Sequence, residues 1–323
     1  MKKTLTAVLA TVLLLGACAE EKDNTEVQVD TKASAETTVA VKPTTIKGED
    51  YDEAGGADAY ANSGDNSESL YYKMPDFYNM KSDENLTIIE KFQTIQQTTE
   101  WSCGPATALM VANHFGYNEM TEMDIAAAMK AMTDLDVEGA LPGTANNFHE
   151  YGSDVSKLYN FFSEIEGFEV VESSYRADYT EADLIQKDDG ATGANVGNLP
   201  ETFTWNSLYA LENSDTTEAW VSDAKDSYFI KWLTDHLQNE RPIMVEWGDW
   251  GGHWQAIIGY DNNDTPSIGD DMLIFADPYD TSDHWQDGYY FYPLERWFGM
   301  WNDRNIAPKP FQLQPYIVVD YNK

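Results

Sequence analysis

Proline lacks the backbone N–H that an α-helix needs beyond its first turn, so a proline ahead of good helix formers pins where a helix begins. In "CGPATALMVANHFG", residues 103 to 116, Pro105 fixes a helix that starts near Cys103 and stops at Gly116. Cys103 therefore stands at a helix N-terminus. Unpaired N–H groups and the helix macrodipole put partial positive charge there, which favours a thiolate. The plainer alternative is a buried cysteine serving as a small hydrophobe.

Cysteine use bears on that choice. The chain holds two cysteines, Cys18 and Cys103. The first closes "MKKTLTAVLATVLLLGAC", where two lysines precede an apolar run too short for an ordinary membrane span. The stretch resembles a bacterial lipoprotein signal, which implies removal of residues 1–17 and lipidation of Cys18. A retained short anchor is the alternative, and both export the remainder. The expected location is the bacterial cell envelope, lipid-anchored and extracytoplasmic. Cys103 is then the one thiol left, with no disulfide partner in the chain, and a leftover cysteine in such a compartment points to a reactive thiol or an intermolecular bridge.

Twenty basic residues stand against 56 acidic ones, a net charge of −36. Nucleic acid and anionic lipid surfaces are excluded as expected partners. A well-hydrated surface suited to a salty habitat accounts for the acidity, with calcium binding or attraction of cationic substrates as alternatives. The acidic loops "DNNDTPSIGDD" (261–271) and "DPYDTSDHWQDG" (277–288) lack EF-hand spacing.

Residues 18–84 are rich in Glu, Asp, Thr, Ser, Ala and Gly and read as a disordered acidic tether, with a root-mean-square reach on the order of 40 Å. Residues 85–323 carry all ten tryptophans and form one expected domain. After an extended stretch at 84–95, helices are expected at 103–116, 121–132, 154–165 and over "DSYFIKWLTDHLQNER". Strands are expected at "GFEVVESSY", "PIMVEW", "HWQAIIGYD" and "MLIFAD". Residues 178–225 are polar and irregular, either a lid or an insertion. The expected class is α+β, N-terminal helices packed on a C-terminal antiparallel sheet.

A nucleophilic cysteine needs a base, an orienting group and donors for a developing oxyanion. His114 lies eleven positions along the same helix, about 16 Å away, and cannot reach the sulfur. His236 falls mid-helix, and His149 and His284 sit in polar segments without a motif. His253 follows the glycine-rich "GDWGG" at the mouth of an apolar strand, where a side chain can face a cleft; a turn histidine bonded to backbone is the alternative. Asp277 emerges from "MLIFADP" and can hold the far nitrogen of an imidazole, although strands often end in Asp as a turn former. Gln97, six residues before Cys103, can pair its amide with the Cys103 N–H as an oxyanion hole, with Gln93 and Gln96 as competitors.

Gln97, the run Cys103-Gly104-Pro105-Ala106, "GGHWQAIIGYD" and "ADP" together resemble the papain-like cysteine peptidases, in particular the branch related to the double-glycine leader peptidases of bacteriocin exporters. The resemblance covers about residues 90 to 300. It implies a papain-like fold, with Cys103 as nucleophile, His253 as base, Asp277 as orienter and Gln97 in the oxyanion hole. Ser102 departs from the acidic residue usual before that cysteine, and the separation of Cys103 from His253 is longer than in exporter-fused domains. No ATP-binding cassette accompanies them here. These departures weigh against leader-peptide processing more than against acyl transfer.

The expected function is hydrolysis of peptide amides through a thioester, with a peptide or protein substrate, membrane attachment through Cys18 and no cofactor. The same machinery serves an amidase or acyltransferase acting on cell-wall peptides. A non-catalytic papain-like module is the other class, its cleft lined by Trp101, Trp247, Trp250 and Trp254 and holding a peptide or glycan. A metal set of Cys103, His253 and Asp277 lacks the helix-spaced histidine pair or second cysteine that zinc sites use.

Overall fold

The computed structural model describes residues 46–47, 75–132, 152–178, 185–188, 195–198, 202–247, 252–280, 286–301 and 314–322. Residues 1–17, Cys18, His149, Trp250 and His284 lie outside the described residues. The strands are β1 Ile46–Lys47, β2 Leu86–Ile88, β3 Ile95–Gln96, β4 Phe168–Ser173, β5 Ile185–Asp188, β6 Asn195–Asn198, β7 Ile243–Trp247, β8 His253–Asp261, β9 Met272–Ala276, β10 Tyr289–Pro293 and β11 Tyr316–Tyr321. The α-helices are α1 Cys103–His114, α2 Glu122–Ala128, α3 Val155–Glu164, α4 Tyr228–Gln238 and α5 Leu294–Trp301.

Helix α1 begins where Pro105 requires, with Ser102 as its N-cap, and its end passes into Gly116 at φ 82°. Residues Cys103 through Ala112 are all buried, so this helix is central rather than amphipathic. Its small residues let it approach the sheet, and Thr107 Oγ1 donates to the Trp254 carbonyl at 2.9 Å. Helices α2, α3 and α4 start on side-chain caps. Thr121 and Asp124 form a capping box on α2, Asp154 accepts from the Ser156 and Lys157 N–H groups, and Ser227 accepts from Ile230.

The main sheet runs β10-β9-β8-β7-β11-β4, every pair antiparallel. β8 is its axis, buried from Trp254 to Tyr260. One edge of β8 is shared, because β7 pairs with His253 to Ile257 and β2 with Gly259 to Asp261. Fully buried strands account for the near-continuous apolar runs in β7, β8 and β9. The α+β class and the antiparallel sheet agree with the sequence reading.

The order of elements is more interleaved than N-terminal helices followed by a C-terminal sheet. β4 precedes α4, α5 follows β10, and β11 inserts between β7 and β4. β10, α5 and β11 were not anticipated. In "YYFYPLERWFGMW" the strand passes straight into the helix at Pro293–Leu294, leaving no loop signal to separate two periodicities. The segment 178–225 contains more structure than its polarity implied: a β5–β6 hairpin, a bridge between Ala210 and Trp220, and Phe203 and Leu208 buried in the core. Phe77, within the stretch read as tether, is buried with its ring 6.1 Å from that of Tyr289.

Candidate active site

The start of α1 and the facing ends of β8 and β9 converge. Cys103 is the first residue of α1, His253 the first of β8, and Asp277 the residue after β9. The register Ala256 to Ala276 brings the end of β9 alongside the beginning of β8, so the two side chains meet although 24 positions separate them. His253 Nε2 and Asp277 Oδ1 are 2.6 Å apart. The same oxygen accepts the Tyr279 N–H at 2.8 Å, which fixes the carboxylate, and the Tyr279 ring stands edge-on to the imidazole. Cys103 also acts on the imidazole, adding to the effects that favour its charged form. With Nε2 taken by Asp277, the remaining nitrogen for the sulfur is Nδ1.

Electrostatics follow from that arrangement. Burial works against the charged form of His253, but the Asp277 carboxylate, by charge and hydrogen bond, and then Cys103 outweigh it and hold the imidazole well above its usual range. Cys103 is only 9% exposed. A metal held by Cys103, His253 and Asp277 would need all three to aim at one point, whereas His253 bridges the other two. Among the described residues no group of three His, Cys, Asp or Glu side chains is arranged to hold an ion.

Gln97 is buried, and its position is set from two directions. Its N–H donates to the Pro278 carbonyl at 2.8 Å, next to Asp277, and its side-chain Nε2 donates to the Thr99 carbonyl at 2.6 Å. An amide nitrogen carries two protons, so one N–H remains beyond the bond to Thr99. The turn into α1 is tied down by Thr99, whose Oγ1 donates to Ser102 Oγ at 2.7 Å and accepts the Ser102 N–H at 3.0 Å. Beneath it lies Glu122, buried, accepting from Thr98 N–H and Oγ1 at 3.1 and 3.0 Å, with Ser102 also favouring its ionised form. Burial raises the Glu122 carboxyl while these bonds pull it down.

Gly288 packs against Thr94, just ahead of the β3 strand that leads to Gln97. Its φ is +82°, and an added Cβ would meet the Thr94 side chain, with Cγ2 at 2.7 Å. Thr94 in turn donates to the Asp287 carbonyl at 2.9 Å. Gly288→Ala is expected to combine positive-φ strain with overpacking, costing about 2–4 kcal/mol. Thermal unfolding measures the loss, and a variant as stable as the parent would show that the segment yields freely.

With this geometry in view, the family comparison is direct: the model described as "Peptidase_C39 like family" matches residues 89–304. The chain belongs to the Peptidase_C39-like family. No curated protein and no solved structure matches it. The match spans α1 through α5, so the cysteine, histidine, aspartate and glutamine all fall inside the Peptidase_C39-like region, and membership supports a peptidase with a papain-like α+β fold.

The other candidates of the Peptidase_C39-like chain are placed elsewhere. His114 Nε2 lies 3.0 Å from the Glu240 carbonyl, and His236 is buried with Nε2 3.2 Å from Glu172, which also accepts from Trp232 and Tyr316. Trp101, Trp247 and Trp254 are at most 6% exposed, so none offers an open face on which a sugar could stack. Two carboxyls near the cysteine escaped the sequence reading. Glu122 looks like an ordinary first-turn helix acid, whereas Glu246 had a signal: it is the one charged residue in the apolar run of β7.

Proposed function

We propose that this protein is a lipid-anchored, extracytoplasmic cysteine peptidase that cleaves peptide amides through a thioester on Cys103. The observation that carries the reading is the 2.6 Å approach of Asp277 to His253 Nε2, which leaves Nδ1 for the Cys103 sulfur at the head of α1. Sulfur attacks the carbonyl carbon as thiolate. Negative charge then grows on the carbonyl oxygen, and the donors for it are the Cys103 N–H, which has no acceptor within the helix, and the spare N–H of Gln97. His253 delivers its proton to the departing amine, the amide C–N bond breaks, and the thioester remains. Neutral His253 next takes a proton from water as that water attacks the thioester, and the thiolate leaves. Asp277 keeps the ring oriented and stabilises its cationic form throughout.

The anchor belongs to the same proposal. Attachment through Cys18 on a tether would hold the domain near the envelope surface, where peptide and protein substrates are met. No helix among the described residues is long and apolar enough to cross a membrane.

Alkylation by iodoacetamide tests the pair. An unassisted thiol is only about 1% ionised two pH units below its ordinary value near 8.5, so at pH 6.5 His253→Ala should alkylate roughly 100-fold more slowly than the parent. Asp277→Asn removes the charge that holds His253 up, so the alkaline limb of hydrolysis should move to lower pH by about one unit or more. Alkylation at pH 6.5 indifferent to His253 would remove the reading.

A further inference from the structure

A carboxyl group sealed inside a protein is costly unless donors meet its oxygens. Glu122, the first residue of α2, is 6% exposed, yet the helix is capped without it: Thr121 Oγ1 accepts the Asp124 N–H, and the Asp124 carboxylate accepts the Thr121 N–H. The Glu122 carboxyl is thus left for another segment, and both of its oxygens go to one residue. Oε1 accepts the Thr98 N–H at 3.1 Å, and Oε2 accepts from Thr98 Oγ1 at 3.0 Å. Two bonds to a single residue fix its orientation as well as its place.

Thr98 joins Gln97 to Thr99, and those two residues are also bonded to each other. Gln97 Nε2 donates to the Thr99 carbonyl at 2.6 Å, while Gln97 Oε1 is buried with no hydrogen-bonding partner among the described residues. The Thr99 carbonyl therefore decides which way round the amide sits, because turning it over would set two oxygens against each other. On one side the segment is tied by the Gln97 N–H to the Pro278 carbonyl at 2.8 Å. On the other, Thr99 Oγ1 donates to Ser102 Oγ at 2.7 Å and accepts the Ser102 N–H at 3.0 Å. Between these ties the chain is pinned at Thr98 by Glu122. Gln97, Thr98, Thr99, Ser102 and Glu122 are all buried, so solvent is a poor substitute for any bond that is lost.

We infer that Glu122 is a positioning residue for Gln97: through Thr98 and the Thr99 carbonyl it sets where the spare amide N–H points. The inference rests on the reading of Gln97 as an oxyanion donor. Such a donor matters when negative charge grows on the carbonyl oxygen, and it has to be in place beforehand. Losing its support is therefore felt in the transition state and little in the binding of substrate.

Steady-state hydrolysis of labelled casein by the full chain tests this in a double-mutant cycle. Gln97→Ala is expected to lower kcat about 100-fold. Glu122→Met keeps the bulk but offers Thr98 no acceptor, and should lower kcat about tenfold with KM within about twofold. Glu122→Gln should restore most of the rate, because its amide oxygen accepts the Thr98 N–H and its amide nitrogen donates to Thr98 Oγ1. In the Gln97→Ala background Glu122→Met should cost less than about twofold more, since no donor is left to misplace. An equal loss in both backgrounds, as a merely structural role would give, or an undiminished kcat in Glu122→Met, overturns the inference. Gln97→Ala at the parental kcat removes the oxyanion role of Gln97, and the inference with it. Should Glu122→Met not fold, Thr98→Val, which deletes the Oγ1 bond alone, takes its place in the cycle. The Gln97 side-chain amide resonances, assigned by their loss in Gln97→Ala, report placement without turnover: they should coincide in parent and Glu122→Gln and shift in Glu122→Met. That shift in a protein that hydrolyses no peptide removes the peptidase and keeps the placement, whereas resonances indifferent to Glu122→Met overturn the placement whatever the activity.

Discussion

Cys103→Ala is expected to lower kcat/KM for peptide hydrolysis by at least about four orders of magnitude while leaving the thermal transition close to that of the parent. Removing the nucleophile from a site in which nucleophile, base and orienter act together leaves only what binding and oxyanion stabilisation supply. Residual hydrolysis above that floor would mean that another group attacks the amide. The fold should survive because His253 retains Asp277 at 2.6 Å and because Cys103 sits at the first position of α1 rather than within its packed middle. Cys103→Ser is the stricter test. It keeps an oxygen near the imidazole yet presents a nucleophile that a helix end and His253 ionise far less readily, so its activity should stay near that of the alanine variant.

The largest effect on stability is expected far from that cleft, at Asp271. Its residue is 1% exposed, Oδ2 accepts from the Tyr260 hydroxyl at 2.6 Å, and Oδ1 has no partner. Burial raises its carboxyl to about 7, opposed by the Tyr260 bond and assisted by Asp270, Asp261 and Asp223. A carboxyl whose folded value lies above its unfolded value makes the folded state bind the proton more tightly. Its contribution is therefore most favourable below the unfolded value of 3.8, declines as pH rises towards 7, and is flat beyond. Asp271→Asn removes the ionisation and keeps an acceptor for Tyr260. At pH 8 it should be more stable by up to roughly 4 kcal/mol, with Tm higher by about 10 °C, and the advantage should vanish at pH 4 and below. Equal stability of the two proteins at pH 8 would show that Asp271 already finds compensation in the folded chain.

Much of the cleft was legible because chemistry and backbone rules coincide there. Pro105 fixed the helix start, and Cys103 came with it; the apolar strand after "GDWGG" delivered His253, and "ADP" delivered Asp277. Contacts between distant segments were not legible. Nothing in "TIQQTTE" says that Gln97 bonds to Pro278, or that Thr98 leans on Glu122, since both depend on how the loops cross. Ser102 illustrates the point: a small polar residue stands before the cysteine, and the carboxyl close by is Glu122, reached through space. β10 and β11 escaped for another reason. Their aromatic and β-branched residues are plain strand formers, but β10 runs directly into α5, and β11 pairs with strands far back in the chain, Phe168–Ser173 and Ile243–Trp247.

That last strand also sets a timetable. Residues 316–321 lie inside the sheet, flanked on both sides, so a growing chain already possesses its thiol, imidazole and carboxylate while the slab that should brace them is still split. A chain stopped after Trp301 leaves β4 with no neighbour and exposes Val245, Trp232 and Phe203 to water. The cleft is thus completed only when the closing strand enters the sheet, and a chain still lacking that strand holds its reactive groups without the frame that aligns them.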